Sequence, residues 1–344
     1  MTDANPLPTT IRQVASLAGV SAATVSRFVN GKQRFTSEVE ARITHAIEQT
    51  SYRSNPAARS MATGRSGMVA ALVAGADNPH AAALVKGICR VALAERYDVL
   101  FVDTLLGASA QRELQRVMSL QVDGLVIAAP LFVGAGEMLA RYGRPFVDLL
   151  RRADPERPRA APDTEAPTAQ ETAQETAGAL LGRYLQRTGH RRIAWIDCAA
   201  EAGARERLKG LRQALNAAGL MLSLHTATAA TAEAGAALAS SVLLGSERPD
   251  AVVACNDALA MGLISEARLL GVAVPDEVSV AGIGNTPFAR YLTPALTSVD
   301  LHATDAGAQA MEWLLAAIRG EAQTRTTRLP EPRLLVREST RPRA

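Results

Sequence analysis

The stretch TIRQVASLAGVSAATVSRFVNG, Thr10 to Gly31, holds two short helices and the corner between them. Thr10 with Gln13 three residues on forms the pattern of a capping box, in which the glutamine side chain returns to the N–H of the capping residue. Ile11, Val14, Ala15 and Ala18 then recur at helical spacing. Gly19 is placed to end that helix in the left-handed conformation, Val20 to plug the corner and Ser21 to cap a second helix. The expected buried stripe of the second helix is Val25, Phe28 and Val29. A third helix, capped by Thr36, is expected to run to about Thr50 with Val39, Ile43, Ala46 and Ile47 inward. A break of about three or four residues between the first two helices is the spacing of a helix-turn-helix unit.

Burying that stripe turns Ala22, Ala23, Ser26 and Arg27 outward. A helix N-terminus presented in this way fits a DNA major groove, where two alanines permit close approach and contact with thymine methyls. Arg27 is the candidate for paired bonds to a guanine edge, with phosphate contact alone as the alternative, while Ser21 and Thr24 are better placed for phosphates. Charge agrees with this reading. Residues 1–65 carry eight Arg and Lys against four acids, whereas the remaining residues carry 29 basic and 30 acidic groups. The positive excess therefore lies wholly where a polyanion would be met.

The segment Thr10 to Gly31 resembles the DNA-binding headpiece of the lactose/galactose repressor (LacI/GalR) family, whose pattern reads T-I-x-D-V-A-x-x-A-G-V-S-x-x-T-V-S-R-x-L-N. The likeness continues through Tyr52 and Asn55 to Ala58-Arg59-Ser60-Met61. It departs at Gln13 for the usual Asp, Ser54 for Pro and Met61 for Leu. The resemblance implies that Asn55 to Met61 becomes a hinge helix on operator DNA. Met61, apolar and unbranched, would then wedge into the minor groove, with a plain linker contact as the alternative. The expected DNA-contacting set is Thr10, Ser21, Ala22, Ala23, Thr24, Ser26, Arg27, Asn30, Tyr52, Asn55, Ala58, Arg59 and Met61.

Beyond the polar linker Thr63 to Gly67, short apolar runs alternate with helix-length segments: Met68–Val73, Val99–Val102, Gly124–Ala128, Phe146–Leu150, Ile193–Ile196, Ala251–Cys255, Val278–Ala281 and Leu334–Val336. Such runs are the mark of parallel strands covered on both faces. The fold class is thus an all-α helix-turn-helix headpiece followed by a two-lobed α/β core of two doubly wound parallel sheets. The resemblance extends to that core as a periplasmic-binding-protein-like fold, through Asp77-Asn78-Pro79, Gly189-His190-Arg191, Arg207-Leu208-Lys209-Gly210, Asn256 to Gly262, Thr293 to Thr297 and Leu335 to Thr340. The expected boundaries are a headpiece over 1–54 and a hinge helix and linker over 55–66. A first lobe follows over 67–172 with 304–330, and a second over 173–303 with 331–344. Arg151 to Thr172, rich in Pro, Ala and charge, is read as the exposed crossing between lobes.

In such folds ligands sit beyond the carboxyl ends of strands, between the lobes. The candidates there are Asp77, Asn78, His80, Asp148, Arg207, Asn256, Asp257 and Asn285. Arg207 aligns with the family's ligand-gripping arginine, the alternative being a surface helix charge. Asn256 would offer its amide, Asp257 would bind ligand or cap a helix, and His80 would be ligand-facing or simply a satisfied histidine. Where sugar-binding members read Gly-Tyr-Asp-Asp this chain reads Gly282-Ile283-Gly284-Asn285. Loss of a carboxylate there, with Arg207 kept, leads to the expectation of a sugar acid such as gluconate or a keto-gluconate.

Three cysteines, Cys89, Cys198 and Cys255, are too few and too scattered for a disulfide framework or a metal knuckle, and the five histidines form no ligand pattern. With no nucleophile elbow and no phosphate loop, an enzyme is not expected, nor any cofactor or metal. Absence of a signal segment and of a long apolar run gives a cytoplasmic expectation without membrane association. The expected partners are pseudo-palindromic double-stranded operator DNA, a small sugar or sugar-acid effector, and a second copy of the chain. The residues after Thr340 hold no leucine-heptad helix of the kind that builds tetramers, so a homodimer is the expected assembly.

Overall fold

The computed structural model describes residues 10–29, 33–52, 60, 64–75, 78–105, 109–129, 131–149, 169–199, 201, 203–245, 247–321 and 330–343. Among the sequence candidates, Asn30, Asn55, Ala58, Arg59, Met61 and Asp77 lie outside the described residues. The chain divides into two units, Met1–Ser66 and Gly67–Ala344.

In the first unit α1 (Ile11–Ala18), α2 (Ala22–Val29) and α3 (Ser37–Thr50) close on Val14, Ala15, Ala18, Val25, Ile43 and Ala46. Gly19 adopts φ 63°, a left-handed conformation that is costly for a residue with a Cβ, and this lets the Val20 N–H return to the Ala15 carbonyl at 3.0 Å. Arg42 fastens α3 to the same corner, donating from Nε to the Ala18 carbonyl at 2.9 Å and from Nη2 to the Gly19 carbonyl at 3.0 Å. One of the basic groups counted toward a polyanion thus serves the fold. Val29 is exposed, contrary to its place in the expected stripe, and Ala22 packs inward with Val25 and Phe28. The inward positions are thus Ala22, Val25 and Phe28, spaced three residues apart along α2.

The second unit holds two sheets. In the first, β1 (Met68–Val73), β2 (Asp98–Asp103), β3 (Gly124–Ala128) and β4 (Phe146–Asp148) lie in the order β2-β1-β3-β4, all parallel. Side-chain alternation splits β1 between two cores: Val69, Ala71 and Val73 face one, Ala70 and Leu72 the other. The helices of this lobe are α4 (Pro79–Ala94), α5 (Ala110–Ser119) and α6 (Ala135–Tyr142).

The second sheet contains β5 (Arg192–Asp197), β6 (Met221–Thr226), β7 (Ala251–Ala254), β8 (Ser279–Ile283), β9 (Thr297–Asp300) and β10 (Arg333–Leu335), in the order β10-β9-β8-β7-β5-β6. Its pairings are parallel except β9 with β10, which is antiparallel. Around it stand α7 (Ala169–Arg187), α8 (Ala204–Asn216), α9 (Ala232–Leu243) and α10 (Asp257–Leu269). The helix α7 begins inside the stretch read as an exposed crossing, because AQETAQET supplies good helix formers. The last helix, α11 (Ala303–Arg319), returns to the first lobe and packs on α4, with Ala310, Met311 and Leu314 in the core of β1 and β3.

Candidate nucleic-acid interface and interlobe cleft

In the first unit, Ser21 caps α2: its hydroxyl accepts from the Thr24 N–H at 3.0 Å and lies 2.8 Å from the Thr24 hydroxyl. Ala23 and Arg27 stand exposed one helical turn apart. Among the described residues Arg27 makes one long bond, from Nη1 to Gln33 Oε1 at 3.4 Å. Ala22 and Ser26 are half-buried. Tyr52 packs against the three-helix core, so part of its ring serves the fold. The Thr10 N–H and hydroxyl both engage Gln13 Oε1, at 2.7 and 3.0 Å.

In the second unit each sheet reverses its strand order once, between β1 and β3 in the first and between β5 and β7 in the second. Crevices at such reversals, beyond the carboxyl ends of the strands, are the natural ligand positions of doubly wound sheets. The segments that follow β1, β5 and β7 carry the polar cluster of this molecule. Glu201, after β5, is its centre. Its Oε1 accepts from Arg207 Nη1 at 3.1 Å, and its Oε2 accepts from Asn256 Nδ2 at 2.9 Å and from Asn78 Nδ2, in the other lobe, at 2.8 Å. The side chains of Glu201 and Arg207 are each 1% exposed.

Arg207 is anchored further by Nε to Gln174 Oε1 at 2.6 Å and by Nη1 to the Cys255 carbonyl. Its helix α8 sits close on α7 because Gly178 and Gly210 face each other: a Cβ on Gly178 would lie 1.8 Å from the Arg207 carbonyl oxygen. The two asparagines also cap helices, Asn78 Oδ1 accepting from the His80 N–H at 2.8 Å and Asn256 Oδ1 from the Leu259 N–H at 2.9 Å. Burial first, then the Arg207 charge, push the His80 imidazole down to about 4, against the opposing pull of Glu201 and Asp300. Its Nδ1 is buried without a hydrogen-bond partner among the described residues, as is Oδ1 of Asp197 at the end of β5.

A second network flanks the first. Asp257 Oδ1 accepts from the Ser298 hydroxyl and Oδ2 from the Thr286 N–H, both at 2.6 Å, while burial raises its carboxyl pKa. Asn285, at φ 47°, donates to Asp300 Oδ2 at 2.9 Å and accepts from Arg337 Nη2 at 2.7 Å.

A small helical unit with an exposed second helix, joined in one chain to a two-sheet core with a polar cleft, is the arrangement found in known regulators. The model of bacterial regulatory proteins of the lacI family matches residues 10–55, and that of the periplasmic binding protein-like domain matches residues 183–340. The chain carries a LacI-family helix-turn-helix domain and a periplasmic-binding-protein-like domain. It is 28% identical to the HTH-type transcriptional repressor PurR of Photobacterium profundum, over 96% of this chain and 98% of the relative. It is also 28% identical to the ribose operon repressor of Haemophilus influenzae, with the same shares covered. A solved structure of the lac repressor dimer bound to operator and the anti-inducer ONPF superposes with a TM-score of 0.80 at 21% identity, over 97% of this chain and 99% of that one. With that DNA-binding domain and these relatives, the chain is a DNA-binding transcriptional regulator and not an enzyme.

Within the two-sheet core the structure brings Asn78, His80, Arg207 and Asn256 into one cluster around Glu201. Asp257 and Asn285 belong to the flanking network, and Asp148 ends β4 of the first lobe, half-buried. Asn256, not Asp257, is the N-cap of α10. Two observations bear on the sugar-acid expectation: Arg207 is paired with Glu201, and Asn285 donates to the carboxylate of Asp300. Glu201, Gln174, Asp300 and Arg337 escaped the sequence reading as site residues. None of the first three stands in a motif or a run that marks it: Asp300, for one, closes TSVD, too weakly apolar to show as a strand.

Proposed function

We propose that this chain represses transcription of a carbohydrate-catabolic operon, binding a pseudo-palindromic operator as a homodimer and answering to a small carbohydrate effector in the interlobe cleft. The observation that carries the effector reading is the cross-lobe polar cluster. Beside it, His80 Nδ1 and Asp197 Oδ1 are buried without a hydrogen-bond partner among the described residues, and such atoms suit hydroxyl-rich ligands. On the DNA side, Ala23 and Arg27 are the residues of α2 proposed to reach base edges, Ser21, Thr24 and Ser26 to stand near phosphates, and Asn55 to Met61 to form the hinge. A second copy would cover the apolar side chains of the edge strand β6, where Met221 is 67% and Leu224 51% exposed. Among the relatives, the ribose operon repressor and the operator-bound lac repressor dimer carry the same assignments in their names.

The effector needs only to prefer one lobe arrangement over the other, with a coupling of roughly 1–3 kcal/mol per site. The test is titration of a selected operator fragment with the full chain in the presence of neutral pentoses, neutral hexoses and sugar acids such as gluconate. One ligand is expected to change operator affinity by about 5- to 150-fold. Operator affinity indifferent to the whole panel overturns the effector assignment.

A further inference from the structure

The cleft contains a carboxylate already. Three donors from three segments converge on Glu201: the Arg207 guanidinium on α8, the Asn256 amide at the head of α10, and the Asn78 amide at the head of α4 in the opposite lobe. This is the donor set that would receive the carboxylate of a small anionic ligand, since a guanidinium and amides are the natural partners of carboxylate oxygens. Glu201 reaches it from the segment between β5 and α8, six residues before Arg207, and its side chain is as deeply buried as the arginine itself. Nearby, Asp300 adds another negative charge, and His80 is held neutral.

We propose that Glu201 is the specificity determinant of this cleft: a tethered carboxylate that fills the anion position, turns acidic effectors away, and clasps the two lobes through Asn78. The inference rests on the cleft being the effector site. An acidic effector would have to expel a buried, triply bonded carboxylate or sit beside it as an unscreened like charge. An uncharged, hydroxyl-rich effector meets no such obstacle. Asp197 Oδ1 and His80 Nδ1, without partners among the described residues, are the atoms that the hydroxyls of such a ligand would answer while Glu201 stays in place. Removing the side chain at 201 should convert the position into a receptor for small monocarboxylates.

The experiment uses the full-length chain and acetate as the probe. Thermal melts of wild type and Glu201→Ala are recorded in sodium acetate and in sodium chloride of equal ionic strength. Acetate is expected to raise the melting temperature of Glu201→Ala by several degrees and to leave wild type unchanged. Should Glu201→Ala not fold in chloride, refolding in acetate is expected to recover it. An equal response of both proteins, or no response of the variant in either form of the test, overturns the proposal. A second variant probes the clasp without vacating the arginine: Asn78→Asp keeps the acceptor that caps α4 and sets a carboxylate against Glu201. Hydrogen exchange in peptides covering residues 78–84 and 203–210 is expected to quicken at least roughly tenfold in that variant, as a local opening would require. Unchanged exchange overturns the clasp. Wild-type binding to a selected operator is followed in parallel: its loss would sink the repressor reading, whereas acetate indifference with operator binding intact sinks only the role of Glu201.

Discussion

The three-helix unit and the interlobe cleft are built on opposite principles. In the first, residues that meet in space are near neighbours in sequence: Ser21 and Thr24 bond each other, and Val14, Val25 and Ile43 close one small core. In the second, the donors around Glu201 come from segments spread along the chain, Asn78 at one end, Arg207 six residues away and Asn256 at the other end. A local unit tolerates loss of one surface contact. A converging cluster buried between lobes does not, because its polar groups are shielded from water and depend on one another for hydrogen bonds.

That contrast predicts unequal mutational costs. Arg207→Ala strands Glu201 in a buried site and should destabilise the core by about 3–5 kcal/mol, read by chemical denaturation with the headpiece transition unaffected. A loss below about 1 kcal/mol would mean that the pair is not buried as a unit. The next effect is a pH dependence. Folding depresses the His80 pKa from 6.5 to about 4, so the unfolded chain takes up a proton that the folded chain refuses as pH falls through that interval. His80 therefore contributes a loss of stability on acidification, complete near pH 4 and absent above about 6.5, of at most about 3 kcal/mol. The measurement is denaturant unfolding of wild type and His80→Gln between pH 4 and 7; identical slopes would contradict it.

On the headpiece side, Arg27→Ala should leave stability unchanged and cost about 1–3 kcal/mol of operator binding, with relaxed preference at one base pair. Uniform weakening on every sequence would restrict Arg27 to phosphate. The smallest effect expected is for Ser21→Ala, which removes the cap of α2 and should lower headpiece stability by about 1 kcal/mol in a thermal melt.

The same contrast explains what the sequence made legible. The corner at Gly19, the end of α3 at Thr50 and the strands β1 and β3 follow from periodicity and caps, and their observed limits match that reading. The strand β6 did not show itself, because an edge strand with Met221 and Leu224 exposed lacks the continuous apolar run of a covered one. Nor did β9, whose four residues TSVD carry one large apolar side chain. The cleft was partly legible through Asn78, His80, Arg207 and Asn256. Glu201 was not, since an acid in an irregular segment has no periodicity, and its meaning appears only when donors from three segments close on it.

The central claim is that the exposed face of α2 reads base edges in duplex DNA, and selection from a random double-stranded oligonucleotide pool by the full-length chain addresses it most directly. The account predicts enrichment of a site with two inverted half-sites, and loss of preference at one symmetric base pair when Arg27→Ala is used in the same selection. A pool that emerges without sequence preference, or with a preference indifferent to residue 27, would contradict it.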